Sequence, residues 1–169
     1  MKNIILIGMP ATGKSTVGVI LAKLLGYDFL DTDILISLEQ KRTLSQIIAE
    51  AGYDRFIEIE GNIGKNIKHE RTVIATGGSM VFSEDAMKNL SESGVVVWLD
   101  TPVSELEKRL TGSLADRGVA TPAEMTFSEI YEMRAPLYQK YADIHILCSG
   151  ATENVVTDLK DKLLREKLI

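Results

Sequence analysis

The chain has 169 residues, 45% of them hydrophobic and 25% charged, and a net charge of −5. These proportions suit one soluble globular domain with a real core, and the acidic balance argues against a general nucleic-acid-binding surface while leaving room for a local phosphate pocket. A single cysteine, Cys148, excludes an internal disulfide and a cysteine-based zinc site; no apolar run approaches the ~20 residues of a membrane span, and no signal peptide precedes the first strand pattern, so a cytoplasmic setting is expected.

In chain order, Lys2 to Ile7 reads as a short buried strand running into Gly8-Met9-Pro10-Ala11-Thr12-Gly13-Lys14-Ser15. From Val17 to Leu25 the apolar residues take helical spacing, and Gly26 is a natural stop. Strand, glycine loop and helix are the context in which G-x-x-x-x-G-K-S forms a phosphate-binding site. The pattern predicts converging loop amides, a helix dipole aimed at the phosphates, Lys14 on the β- and γ-phosphates, and the Ser15 hydroxyl on Mg²⁺. Gly8, Ala11, Thr12, Gly13, Lys14, Ser15 and Thr16 are the candidate ATP-binding residues.

A second strand is centred on Phe29-Leu30 and ends in Asp31-Thr32-Asp33, where ligands collect in parallel sheets. One carboxylate suits the Mg²⁺ shell and the other an acceptor hydroxyl; an acidic N-cap pair is the competing reading. The helical pattern from Leu35 to Glu70 is too long for a simple crossover and predicts an insertion over about 34–70. A third strand, Thr72–Ala75, leads into Thr76-Gly77-Gly78-Ser79, which reads equally as a ligand-approaching turn or a plain connection. Ser83 is placed as an N-cap for a helix toward Leu90, and Val95–Leu99 as the fourth strand. Thr101 is placed as the N-cap, and Pro102 as the first residue, of a helix through Leu110, with Glu105 and Arg109 at ion-pair spacing.

The polar stretch 111–124 has the composition of a lid or of an ordinary surface loop, and Arg117 in its middle favours the lid. Thr126 and Glu129 have capping-box spacing for a helix that Pro136 should kink or interrupt. Within it Arg134 suits capture of a carboxylate or phosphate, although a lone arginine is more often a solvated surface residue. Ile144–Leu147 is the last strand, and Val156, Leu159, Leu163 and Leu164 line one side of the last helix. His69 and His145 lie outside every motif and read as structural. Alternating strands and helices without hairpin signals argue for a three-layer α/β fold with a mainly parallel sheet.

GMPATGKST, FLDTD, ATGGS and RAPLY, in this order over nearly the whole chain, resemble the shikimate kinase family. The resemblance implies a single P-loop kinase domain over 1–169, with a five-stranded parallel sheet, a substrate-binding insertion and a mobile lid. It implies ATP and Mg²⁺ as cofactors and transfer of the γ-phosphate to the 3-hydroxyl of shikimate. By position, Asp31 takes the metal role beside Ser15; Lys14, Asp33 and Arg117 the catalytic roles; Arg109 a place beside the adenine. Asp33, Gly77, Gly78, Ser79 and Arg134 are the implied contacts to a substrate bearing hydroxyls and a carboxylate. The expected partner is that small molecule alone, without nucleic acid or membrane, and the expected state a monomer.

Three departures stand out. The family's G-E-x-x-F-R-x-x-E aligns with Gly52 to Glu60, so that Phe56 and Glu60 match but Ile57 replaces an arginine that ligates the carboxylate. Arg55 is two positions away, about 200° around a helix, and cannot substitute. Ser79 replaces the third glycine of the turn, and Arg117-Gly118-Val119-Ala120 stands where the family lid has R-P-L-L. A charge-assisted hydrogen bond contributes about 1.5–3 kcal/mol, so one lost arginine weakens carboxylate binding roughly ten- to more than a hundredfold. That leaves three readings: a weakened shikimate site, a site for another hydroxylated acid or hydroxy-amino acid, and a non-catalytic nucleotide-binding regulator.

Overall fold

Apolar runs with no polar alternation demand burial on both faces, and the three central strands of the sheet obtain it, while the edge strands are partly exposed. The computed structural model describes residues 2–110, 119–122 and 125–169. The strands β1 (Asn3–Ile7), β2 (Asp28–Asp31), β3 (Thr72–Ala75), β4 (Gly94–Asp100) and β5 (Ile144–Leu147) form one sheet in the order β2-β3-β1-β4-β5. Every pairing is parallel. Between them run α1 (Lys14–Leu25), α2 (Thr32–Gln40), α3 (Leu44–Asn66), α4 (Glu84–Ser93), α5 (Val103–Arg109) and α6 (Phe127–Tyr141), with α7 (Thr152–Arg165) last.

Successive strand residues face opposite sides of a sheet. Ile4 and Leu6 pack with Val17 and Leu21 of α1 and Leu159 and Leu163 of α7. Ile5 and Ile7 pack on the other side with Met87 and Leu90 of α4 and Ile130 and Tyr138 of α6. The result is the expected three-layer, five-stranded parallel arrangement. The insertion builds a separate small core from Ile36, Ile47, Phe56 and Ile63, and α3 breaks at Gly52 (φ 80°, ψ 172°).

Local signals set most boundaries. Gly26 closes α1 in the left-handed region, its N–H donating to the Ala22 carbonyl. Ser83 caps α4, and Thr126 and Glu129 form the anticipated capping box. Two expectations are corrected. Thr101 does not cap α5: Pro102 is itself extended (φ −52°, ψ 136°), so the helix begins at Val103 and ends at Arg109. Pro136 does not interrupt α6, which runs through it from Phe127 to Tyr141 with Arg134 and Tyr138 buried on either side.

This topology brings three strand ends together. Leu6 and Asp31 both stand opposite Ala75, and Thr76 donates from its backbone N–H and its hydroxyl to the Leu6 carbonyl at 3.1 and 3.0 Å. The Gly77 N–H then donates to the Thr32 hydroxyl at 2.9 Å. The chain therefore leaves β1, β2 and β3 side by side, at the carboxyl edge where open α/β sheets bind ligands. Of the lid segment only 119–122 is described; Arg117 lies outside the described residues. Among those described, no helix is long and apolar enough to cross a membrane.

Candidate active site

The loop after β1 is held by backbone constraints. Gly8 (φ +144°) lies so close to β4 that a Cβ there would collide with the Leu99 carbonyl oxygen, and Gly13 (φ +96°) opens α1 from the left-handed region. The Lys14 ammonium folds along the loop, donating to the Gly8 and Met9 carbonyls at 2.8 Å each. Burial pulls Lys14 down to about 8, opposed by the attraction of Asp33. The Ser15 hydroxyl donates to Asp31 Oδ2 at 2.5 Å, while Asp31 Oδ1 caps α2 by accepting from the Asp33 and Ile34 N–H groups. Capping and pairing with Ser15 thus coexist on one carboxylate. A hydroxyl and a carboxylate touching at a helix N-terminus form a hard-oxygen donor set that fits Mg²⁺ beside phosphates.

The loop forms one side of a cleft of about 430 Å³, with Asp33, Glu60, Gly77, Ser79 and Arg134 on its other walls. Asp33 sits in the first turn of α2, and burial, opposed by Lys14, lifts its carboxyl to about 6, leaving it ionised at neutral pH. Arg134 is 1% exposed, which reverses the surface expectation for a lone arginine. Its Nη2 donates to the Ala120 carbonyl, and its guanidinium lies 5.6 Å from the Phe82 ring centroid. Tyr138, one turn later, donates to the Gly78 carbonyl at 2.6 Å and so ties α6 to the glycine turn. Gly78 runs between the Arg134 guanidinium and Pro10 of the loop, which links the two sides of the cleft.

Arg109 stands at the far end. Its Nη1 lies 3.4 Å from the Ala11 and Thr12 carbonyls, beside a small crevice shared with Cys148, Gly150 and Thr152. It pairs with Glu105 at 3.5 Å, as the spacing predicted. His145 is outside the cleft, stacked on Trp98 and 2.9 Å from Asp100.

The altered wall has an unambiguous geometry. Ile57 does not line the cleft; it is half-buried against the small core and edges a shallow groove with Gly61, Lys65 and Ser83. Arg55 is exposed, pairs with Glu58 at 2.6 Å, and faces another groove. Among the described residues, Lys14 and Arg134 are the cations that line the cleft. The residue the motifs left without a role is Glu60, 1% exposed, with Oε2 accepting from the Ser79 hydroxyl. Besides its match to the family's insertion motif, its spacing marked it: it falls one helical turn after Phe56 and three residues before Ile63, an acid on the buried stripe of α3.

Comparison with known proteins agrees with this layout. The family profile described as Shikimate kinase matches residues 10–164. A shikimate kinase of Thermodesulfovibrio yellowstonii is 38% identical over 98% of this chain and 95% of its own length. One of Persephonella marina is 34% identical over 89% of this chain and 91% of its own. The structure of an Acinetobacter baumannii shikimate kinase in complex with shikimate superposes with a TM-score of 0.83 at 28% identity, covering 100% of this chain and 96% of that one.

Proposed function

This chain belongs to the shikimate kinase family, ATP- and Mg²⁺-dependent phosphotransferases that act on an alcohol hydroxyl, and from that premise we propose that its own acceptor is shikimate, phosphorylated at the 3-hydroxyl. The observation that carries this is the pairing, in one cleft, of an intact phosphate loop with ionised Asp33 and buried Arg134.

The residues divide the reaction between them. Amides of the Gly8–Ser15 loop and the start of α1 hold the β- and γ-phosphates, and Lys14 leaves its loop carbonyls to meet them. Ser15 and Asp31 would hold Mg²⁺, which supplies charge neutralisation on the phosphates. Arg134 fixes the acceptor's carboxylate through the guanidinium edge not given to Ala120. Asp33 orients the hydroxyl and takes its proton as the acceptor oxygen bonds to the γ-phosphorus and the bond from that phosphorus to the bridging oxygen breaks. Arg109 is assigned to the nucleotide base, the role of Arg117 on the phosphates rests on the family resemblance alone, and the 34–70 insertion contributes Glu60 to the acceptor side.

A second reading draws on the charge of that wall. With Ile57 in place of an arginine, two carboxyls, Asp33 and Glu60, face one guanidinium, a balance that suits a zwitterionic hydroxy-amino acid. A non-catalytic regulator is disfavoured by the retention of Lys14, Ser15, Asp31 and Asp33. The deciding experiment presents purified protein, ATP and Mg²⁺ with a panel of hydroxylated acids and hydroxy-amino acids and follows ADP release. Efficient turnover of shikimate is expected. Millimolar KM for shikimate beside efficient turnover of another compound overturns the assignment, and tight ATP binding with no turnover favours the regulator.

A further inference from the structure

Among the described residues, Glu60 is the one acid in the cleft whose function the phosphate loop and the Asp33–Arg134 pair do not explain. It is 1% exposed, and its Oε1 has no hydrogen-bond partner among the described residues. Its position is well defined: a Cβ built on Gly77 would collide with Glu60 Oε1 and stand 2.7 Å from Asp33 Oδ1. Two carboxyl oxygens therefore converge over one glycine on the floor of the cleft, and only a residue without a side chain leaves them room. Glu60 Oε2 is already committed, accepting from the Ser79 hydroxyl. An unpaired buried carboxylate is costly, whereas a neutral carboxyl needs an acceptor for its one O–H.

We propose, building on the acid-acceptor reading above, that Glu60 holds a proton on Oε1 and donates it as a hydrogen bond to the acceptor substrate, supplying a neutral donor in a cleft that lacks the family's second arginine. Charge balance supports it. Loss of an arginine leaves Arg134 as the one cation of the acceptor half among the described residues, with Asp33 ionised against it; a second charged carboxylate would repel an acid substrate. A proton on Glu60 removes that repulsion without a new cation. Ser79 fits the same scheme, since its hydroxyl orients the carboxyl by donating to Oε2 and so leaves Oε1 as the oxygen that carries the proton.

The surroundings agree. Burial is the main influence pushing Glu60 up, to about 8, and Asp33 adds to it, while the Ser79 hydroxyl, Arg134 and Lys14 pull the other way. Tyr53 on α3 and Tyr138 on α6 are the remaining titratable neighbours among the described residues, both neutral and both pushed upward chiefly by burial. Asp33 and Glu60 thus divide as base and acid, two carboxyls separated by environment. An approaching anionic substrate strengthens the hold on the proton.

Two measurements test this. First, ¹³C-carboxyl NMR of glutamate-labelled protein without substrate, with E60Q assigning the signal, should show Glu60 titrating near pH 8; titration near 4.5, the ordinary range, overturns the proposal whatever the acceptor is. Second, with ATP and Mg²⁺ saturating, KM for shikimate should be flat below pH 8 and rise about tenfold per pH unit above it, because one proton is lost. E60A should raise KM below pH 8 and leave it flat through the break, and E60Q should restore most of that loss and abolish the rise. Since E60Q retains Lys14, it separates that group's titration from Glu60's. S79A should move the break to higher pH, because the donated hydrogen bond favours the charged form; an unmoved break overturns the role given to Ser79. An E60Q enzyme as impaired as E60A overturns the proton-donor proposal, as does efficient turnover of a hydroxy-amino acid that E60Q abolishes. Absence of shikimate turnover with Glu60 still titrating near 8 overturns the shikimate reading and leaves the proton on Glu60 standing.

Discussion

The two halves of the cleft are built on different principles. The proposed donor half is one contiguous segment, Gly8 to Thr16, whose groups for phosphate would be mostly backbone amides presented by a glycine turn and a helix start. The acceptor half is assembled from side chains on four separate elements: Asp33 on α2, Glu60 on α3, Ser79 after β3 and Arg134 on α6. A backbone cradle tolerates little change, because its donors cannot be exchanged one at a time. A side-chain wall can be revised one position at a time, and here it differs from its family at Ile57 and Ser79 while the loop is intact. Substrate recognition can therefore drift while nucleotide chemistry stays fixed.

Substitutions can break or sharpen that contrast. The largest effects belong to groups at the reacting atoms. D33N should lower kcat by about 10²–10⁴, the usual worth of a positioned base, and K14A by about 10²–10³, the scale for removing one donor to developing charge. Single-turnover phosphoryl transfer measures both, and a near-normal kcat for D33N would remove Asp33 from the base role. Next, R134A should raise acceptor KM by about ten- to a hundredfold, from the loss of a 1.5–3 kcal/mol charged hydrogen bond. R134K should not rescue it, because an ammonium cannot serve Ala120 and a carboxylate at once in fork geometry. ATP affinity should be unchanged in both, and a parallel loss of ATP binding would show that the two halves are not separable.

Smaller effects sharpen the acceptor side. I57R returns the family residue and should lower shikimate KM by up to about tenfold if the wall is merely weakened. No change would indicate a pocket built around Glu60 instead. The smallest effect concerns stability. Glu60 is held near 8 in the fold but titrates near 4.5 when unfolded, so the native state keeps a proton that the unfolded chain releases. Its contribution to stability is full below pH 4.5 and declines as pH rises from 4.5 to 8. E60Q escapes that decline. Its melting temperature relative to the parent should therefore be higher at pH 8 than at pH 5, by at least about 2 °C, since 1 kcal/mol moves a domain of this size roughly 2–4 °C. Calorimetry at the two pH values checks it.

What was legible in the chain follows the same division. Strand–loop–helix order around Lys14, the Thr126–Glu129 capping box and the Gly26 stop depend on neighbours within a few residues, so periodicity and local chemistry suffice to read them. The helix start after Pro102 was misplaced by a residue, and of the kink or interruption expected at Pro136 the interruption does not occur, α6 running through it between the buried Arg134 and Tyr138. Arg134 looked like a surface residue in isolation, because nothing in its own helix reveals that Ala120, Phe82 and the glycine turn enclose it. Glu60 was visible as an acid on an apolar stripe and as the last residue of the family's insertion motif, with no role attached. By itself, then, the sequence determined the nucleotide site and the layered sheet, since both rest on short-range spacing. Tertiary structure alone decided that Glu60 meets Ser79 and Asp33 over Gly77, that Ile57 turns away, and that no second cation among the described residues takes the missing arginine's place, because those facts depend on which segments distant in the chain the parallel sheet brings to one edge.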